Sequence, residues 1–326
     1  MARRLIARVG MLLGALLISG GIAASPAAAE DYPKKAIHLI SPFAPGVSTD
    51  VLARALAQKL TENLGQPVIV ENRPGANGII GASYVAKSAP DGYTFLITTG
   101  SHTANPHVSK DVPYDALKDF TPITQLAGSY GLVLLSNLPV KSVGELVELA
   151  KKKPGQLTYS TSGVGNLTHV AGRLLEARAG IKMIAVPYNN SALIPDTIAG
   201  TVDMTFISSV SAVPLVKGGQ LKALAVTGTK RAPALPNVPT FQEAGIKDYD
   251  LTGYFGILFP ANTPADRVDR VYQATVKALT APELKSIIET AGLFVVGSTP
   301  ADFGAFLKQD FDYQGRLMEE LDMKIK

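Results

Sequence analysis

The chain has 326 residues, 46% of them hydrophobic, with 31 basic against 27 acidic side chains and no cysteine. That hydrophobic share supports a packed body rather than a disordered one, and the length is enough for two domains of ordinary size. The missing cysteines exclude a disulfide framework, thiolate metal sites and a cysteine nucleophile.

The first residues carry Arg3, Arg4 and Arg8, followed by an apolar run from Met11 to Ile18 and the small residues of "SPAAAED". Basic, then apolar, then small is the order of a secretory signal, so residues 1–29 are expected to be removed after Ala29. The run is too short to cross a bilayer as a stable anchor. The Arg3-Arg4 pair suits twin-arginine export and a plain basic leader equally. Without residues 1–29 the balance is 28 basic against 27 acidic residues, or +1. The basic excess belongs to the signal. A near-neutral mature surface argues against nucleic-acid or anionic-membrane partners.

Strands and helices then alternate. "AIHLI" reads as a strand, the segment near Asp50–Asn63 as a helix, "PVIVEN" as a strand and "GIIGASYVAKS" as a helix. "DGYTFLITTG" is a turn, set by Asp91-Gly92, and a buried strand. This rhythm predicts an α/β domain with a largely parallel sheet. Around Phe120–Ser136 the pattern becomes extended, and a second α/β run follows from "SVGELVELAKKKPG" to "LKALAVTG". A Pro-rich stretch, "RAPALPNVPTFQEAG", leads to a second extended segment, "TGYFGILFPANTP", and then to C-terminal helices. Two extended segments bracketing the second run predict two crossovers between two α/β domains. The expected division is 30–128 with 252–326 as a discontinuous first domain, and 129–251 as the second.

"SPFAPGVSTDVLARAL", Ser41 to Leu56, passes abruptly from loop to helix chemistry. "LTYSTSGVGNLTHVAGRLL", Leu157 to Leu175, repeats the plan in the other proposed domain. Each loop sits where open α/β sheets bind ligands, at the carboxyl end of a strand, and opens a helix whose first N–H groups are free. Facing each other, the two loops predict a cleft that holds an anion. Neither contains Lys or Arg, since Arg54 and Arg173 lie inside their helices. Binding would therefore rest on backbone N–H groups and on the hydroxyls of Ser48, Thr49, Ser160, Thr161, Ser162 and Thr168. The bland alternative is that these residues are ordinary caps and turns.

Other chemistries find little support. "GVGNLT" has Gly163 and Gly165 but Thr168 where a dinucleotide fingerprint needs its third glycine, and no phosphate-binding G-x-x-x-x-G-K-S/T occurs. His102 and His107, read as sharing one loop, have only Asp111 nearby as a third metal ligand. No G-x-S-x-G elbow is present. Ser162 with His169 is the remaining base–nucleophile pair, and it keeps a secreted hydrolase as an alternative. "ENRPGANG", Glu71 to Gly78, is either a turn or a further part of the cleft wall.

"PFAPGVSTD", "ENRPGANG", "APDGYTFL", "PYDALKDFTPI", "VPY", "ALAVTGTKRAPALPNVPTFQEAG" and "GILFPANTP" occur in an order that resembles the Bug family. These are the periplasmic solute-binding proteins of tripartite tricarboxylate transporters. The resemblance runs from about Tyr32 to Lys326. It implies a class II periplasmic-binding-protein fold, two α/β domains joined by two crossover strands and closing on a carboxylate. It also implies a periplasmic location, no cofactor, a monomer, and delivery to large and small membrane subunits. A sensor subunit that presents its ligand to a membrane kinase would look the same in sequence. The expected ligand-binding residues are Phe43, Ala44, Gly46, Val47, Ser48, Thr49, Asp50, Ser101, His102, Ser160, Thr161, Ser162, Gly163, Asn166, Thr168, His169, Tyr188, Ile207 and Ser208. Three departures from the family pattern bear on the ligand. Val47 replaces a glycine, Asn189-Asn190 replaces a Lys-Gly, and Ile207-Ser208 stands where many members have Asp-Asn. Without that aspartate to pair an ammonium, an aliphatic or aromatic dicarboxylate is expected rather than an amino acid.

Overall fold

A computed structural model describes residues 32–161, 166–188 and 192–323 of the chain. The segment read as an export signal, Ser162 and Gly163 of the second loop, and Asn189-Asn190 lie outside the described residues.

In chain order the first elements are β1 (Ile37–Ser41), α1 (Ser48–Leu64), β2 (Val68–Asn72), α2 (Ile79–Ala86), β3 (Thr94–Thr99), α3 (Ser101–Val108) and β4 (Phe120–Ser129). The chain then builds β5 (Leu132–Ser136), α4 (Val143–Lys152), β6 (Thr158–Thr161), α5 (Leu167–Ala179), β7 (Ile184–Pro187), α6 (Leu193–Ala199), β8 (Met204–Ser208), α7 (Ser209–Lys217) and β9 (Lys222–Val226). It ends with β10 (Tyr254–Pro260), α8 (Ala265–Leu279), α9 (Pro282–Thr290), β11 (Leu293–Val295) and α10 (Pro300–Glu320).

These strands form two mixed sheets, ordered β11-β4-β10-β3-β1-β2 and β7-β6-β8-β5-β9. The same plan underlies both. In the first sheet β1 pairs in parallel with β2 and β3, and β10 enters antiparallel between β3 and β4. In the second, β6 pairs in parallel with β7 and β8, and β5 enters antiparallel between β8 and β9. Each sheet therefore receives one strand, running against its neighbours, from a chain that has just left the other sheet. This is the class II binding-protein arrangement. Strands β1, β3, β6 and β8 occupy matching central places, and all four lead directly toward a helix N-terminus.

Local sequence explains the elements that position the site. In α1 the residues Leu52, Ala53, Leu56, Ala57, Leu60 and Leu64 recur at helical spacing and are buried, and Gly65 ends the helix in the left-handed conformation with its N–H on the Thr61 carbonyl. β1 carries Ile37, Leu39 and Ile40 fully buried, because helices cover both faces of its sheet. His38 of the same strand is partly exposed, with Nδ1 2.5 Å from Glu71.

Two helices differ from the sequence expectation. His102 and His107 lie on α3, where a loop was expected, and α7 follows β8 without an obvious helical signature. Each contains a proline inside it, Pro106 and Pro214, and neither has a long apolar stripe. Tertiary contacts override the propensity. Around α3 the Asn105 side chain exchanges bonds with Asn77, and His107 Nε2 contacts the Phe311 carbonyl of α10 at 2.9 Å.

The two chain crossings between the sheets pass in contact. Thr227 N–H donates to the Leu132 carbonyl, Leu132 N–H to Thr227 Oγ1, and Thr227 Oγ1 to the Leu251 carbonyl. Gly131, at φ +86°, permits this approach: a Cβ there would lie 2.3 Å from Thr227 Oγ1 and 2.7 Å from the Gly228 nitrogen. Helix α10 ties the halves together on another side. Its Phe303 and Leu307 pack in a core with Ile40, Leu96 and Leu258 of the first sheet. Its Leu317, Met318 and the following Leu321 pack with Tyr159, Leu174 and Phe206 of the second.

Candidate functional site

The four helix N-termini that follow the central strands converge on one cavity of about 580 Å³. Phe43, Ala44, Val47, Ser48 and Thr49 line it from the first loop, Gly100 and Ser101 from the start of α3, and Asn166 and Leu167 from the start of α5. Ser208 and Ser209 contribute the start of α7, and the crossings supply Ser129, Gly131, Leu132 and Thr252 to Phe255. Gln314 and Met318 of α10 also line it.

The two sheets present unlike helix ends. In α1 the N-cap is Val47, which offers no capping oxygen, and the first intrahelical bond is Val51 N–H to the Val47 carbonyl. The N–H groups of Ser48, Thr49 and Asp50 come before that bond. Helix α3 also lacks a side-chain cap; its Ser101 N–H meets Thr99 Oγ1 only at 3.4 Å. Across the cavity, Asn166 caps α5 by accepting from Thr168 N–H, and Ser208 caps α7 by accepting from Ser211 N–H. The first sheet thus turns two bare, partially positive helix ends toward the cavity, whereas the second covers its own.

Among the described lining residues there is no Lys, Arg, His, Asp or Glu. Polar contacts come from Ser48, Thr49, Asn77, Thr99, Ser101, Asn166, Ser208 and Gln314. Phe43, Leu132, Leu167, Val170, Phe255, Leu293 and Met318 make an apolar remainder. Thr49 is only 6% exposed yet faces this space. Asn77 reaches the wall from a strained turn, since Ala76 and Asn77 both hold positive φ, at 47° and 53°.

Several residues expected in the site lie behind it. Asp50 is buried beneath the first loop, where Oδ2 accepts from Gly46 N–H and Arg54 Nε and Oδ1 accepts from Asn72 Nδ2. Burial works to raise its carboxyl, but these bonds outweigh it and hold the group below the usual range. Asn72 Nδ2 also donates to the Phe43 carbonyl, so Asp50 and Asn72 brace the loop from below. Gly46 supplies the left-handed residue of that loop, at φ +84°. His102 is fully buried, with Nε2 2.8 Å from the Ala116 carbonyl and its ring stacked on Tyr114. Burial lowers its pKa to about 4.

In the second half Ser160 and Thr161 are buried at the end of β6, and Thr168 is held by the Asn166 cap. His169 is half-buried, and burial together with Arg173 lowers its pKa. Tyr188 donates to Asp196 Oδ2 at 2.8 Å and packs with Ile207 in an apolar cluster that includes Val133, Leu193 and Val226. Ile207 is thus part of a helix-covered face of the second sheet, while its neighbour Ser208 reaches the cavity. Gln314, Met318, Tyr254 and Phe255 are lining residues that the loop motifs gave no sign of. They come from the return crossing and the last helix, more than 200 positions from the first loop.

Residues 52–323 match the family model described as the tripartite tricarboxylate transporter family receptor. Protein BugT of Bordetella pertussis is 31% identical over 98% of this chain and 99% of its own length. Among solved structures, Rpa4515 of R. palustris with adipate is 33% identical, with a TM-score of 0.77, covering 90% of this chain and 99% of that one. MatC from Rhodopseudomonas palustris with bound malate is 27% identical, with a TM-score of 0.74, over 88% and 99% of the two chains.

Proposed function

Because the chain belongs to the receptor family of the tripartite tricarboxylate transporters, whose members are periplasmic solute-binding proteins, we propose that it captures a small dicarboxylate with an aliphatic or aromatic body. The ligand is released to the large and small membrane subunits of its transporter. Residues 1–29 direct export and are cleaved, and the mature protein works as a monomer. The domains, 30–128 with 252–326 and 129–251, close on the ligand about the crossing of Gly131 and Gly228.

One observation carries this reading: the uncapped ends of α1 and α3 face a cavity whose described lining has no charged side chain. A carboxylate fits bare N–H groups and the Ser48, Thr49 and Ser101 hydroxyls. An ammonium would find no carboxylate to pair with there, and burying it unpaired is costly. The apolar lining suits the ligand's carbon body, at about 25 cal/mol for each Å² removed from water. The bound adipate and malate of the related receptors are ligands of this class.

The test is a thermal-shift panel of succinate, adipate, malate, terephthalate, citrate, aspartate and glutamate, with calorimetry on the acids that respond. Binding only the folded form raises the apparent stability in proportion to the logarithm of ligand excess. A dicarboxylate is expected to give the largest shift and the amino acids none. A panel in which aspartate or glutamate binds tightest would overturn the ligand class.

A further inference from the structure

The amides on the cavity wall differ from the hydroxyls beside them in one respect: once bonded, they cannot turn to suit a ligand. Ser48, Thr49 and Ser101 can give or take a proton there, whereas a carboxamide has an oxygen that only accepts and a nitrogen that only donates. Which of the two meets the ligand depends on the bond that the other one makes.

For Asn77 that bond is fixed by a backbone carbonyl. The buried Asn105 amide lies 3.1 Å from the Asn77 carbonyl, which can only accept, so Asn105 turns Nδ2 toward it. The remaining Asn105 atom, Oδ1, is then the acceptor that Asn77 meets at 2.9 Å, and Asn77 gives Nδ2 to it. Asn77 Oδ1 is left over. It accepts no hydrogen bond among the described residues, and Asn77 lines the cavity.

Gln314 follows the same logic from α10. Asp310 accepts at both oxygens, Oδ2 from the Thr103 hydroxyl at 2.5 Å and Oδ1 from Gln314 Nε2 at 3.4 Å. Gln314 Oε1 accepts nothing among the described residues, and this buried side chain also lines the cavity. Both amides are fastened to α3, Asn77 through Asn105 and Gln314 through Asp310 and Thr103. Two fixed acceptors therefore accompany the helix end that suits a carboxylate. Asn166, in the second half, is opposite in kind: its Oδ1 is taken by the Thr168 N–H and hydroxyl, so it has only a donor to offer.

A wall made for carboxylates alone needs donors alone, since an ionised carboxyl only accepts. Two acceptors call for a proton from the ligand. An ammonium would add a charge that nothing in the described lining balances. An amide would add a carbonyl facing the same acceptors. A hydroxyl supplies the proton without either burden. Building on the carboxylate reading above, we propose that the ligand is a hydroxy acid, whose hydroxyl is read by Asn77 Oδ1 and Gln314 Oε1.

The experiment compares an acid with and without its hydroxyl, so that the carboxylates stay constant. Succinate is paired with each enantiomer of malate, and adipate with each enantiomer of its α-hydroxy derivative. Calorimetry follows the pair with the larger thermal shift. One hydroxy acid is expected to bind about tenfold tighter than its parent, because the parent leaves the acceptors unpaired when water is excluded. Asn77→Gly tolerates the left-handed turn, and Gln314→Met keeps the length of the side chain without its amide. Each variant should shrink the ratio of the two affinities, and together they should bring it to about one. A merely structural role would weaken both acids alike and preserve the ratio. A parent acid within about threefold of both hydroxy acids, or a ratio unchanged in the double variant, overturns the proposal and leaves the carboxylate reading intact. If no acid on the panel binds, both fall.

Discussion

Replacing Gly131 by alanine tests the crossing of the two connections. The residue holds φ +86°, where an L side chain costs about 1–2 kcal/mol. The new Cβ would also fall 2.3 Å from Thr227 Oγ1 and 2.9 Å from the Leu251 carbonyl. Thr227 must then rotate away, giving up its bonds to Leu132 N–H and to the Leu251 carbonyl. Two such bonds contribute about 0.5–1.5 kcal/mol each. The expected loss is therefore between about 2 and 5 kcal/mol, a large share of a typical stability of about 5–15 kcal/mol. Urea unfolding measures it as a fall in midpoint at unchanged slope. Because the clash is with Thr227 itself, Thr227→Ala should cost less in the Gly131→Ala background than in the natural protein. A loss under about 1 kcal/mol, or full additivity of the pair, would refute the reasoning, since the crossing would then adjust without breaking its bonds.

Thr49→Val keeps the shape of a buried wall residue but removes its hydroxyl; binding of a dicarboxylate should weaken by about 1.5–3 kcal/mol in calorimetry, with the unfolding midpoint nearly unchanged. Raising the salt concentration should change that affinity only modestly, because no charged side chain among the described lining residues meets the ligand; a change of orders of magnitude would point to a cation in the site. Asp50→Asn should loosen the first loop and flatten the acid limb of the stability curve: the Asp50 carboxyl is held below its ordinary value, so its contribution is present above that value and is lost as pH falls through the folded pKa. His102 titrates at about 4 against 6.5 when unfolded, so its stabilising effect is whole above pH 6.5 and drains away toward pH 4. Urea midpoints of His102→Gln and the natural protein at pH 7 and 5 should diverge accordingly, with the natural protein showing the steeper loss.

Much of the architecture is legible in short stretches. The strand, small-residue loop and helix at Ser41–Leu56 announce a turn that opens a helix at the cavity, and its echo at Leu157–Leu175 announces a second half built on the same plan. Periodicity does not say which way a loop side chain points. Asp50 turns from the cavity because Asn72 and Arg54 await it underneath, and Asn72 is 22 positions away. Phe206 and Ile207 point to opposite faces of β8, and both faces are covered, so each joins a different core. Only Ser208, at the strand end, escapes into the cavity. Helices α3 and α7 were hidden by Pro106 and Pro214. Gln314 and Met318 read as one face of an amphipathic C-terminal helix, and only its path between the halves brings them to the cavity.

The exchange of strands between the sheets constrains how the molecule is born. The first sheet lacks a member between β3 and β4 until Tyr254–Pro260 has been made, and α10 must follow before its core with Phe303 and Leu307 is closed. A ribosome adding about 5–20 residues per second leaves the early strands waiting roughly 8–30 seconds for their partner. Through that interval the leading half has an unfilled slot and cannot lock. A chain with this topology stays threadable for most of its synthesis, which is the condition an unfolded-substrate secretion channel requires.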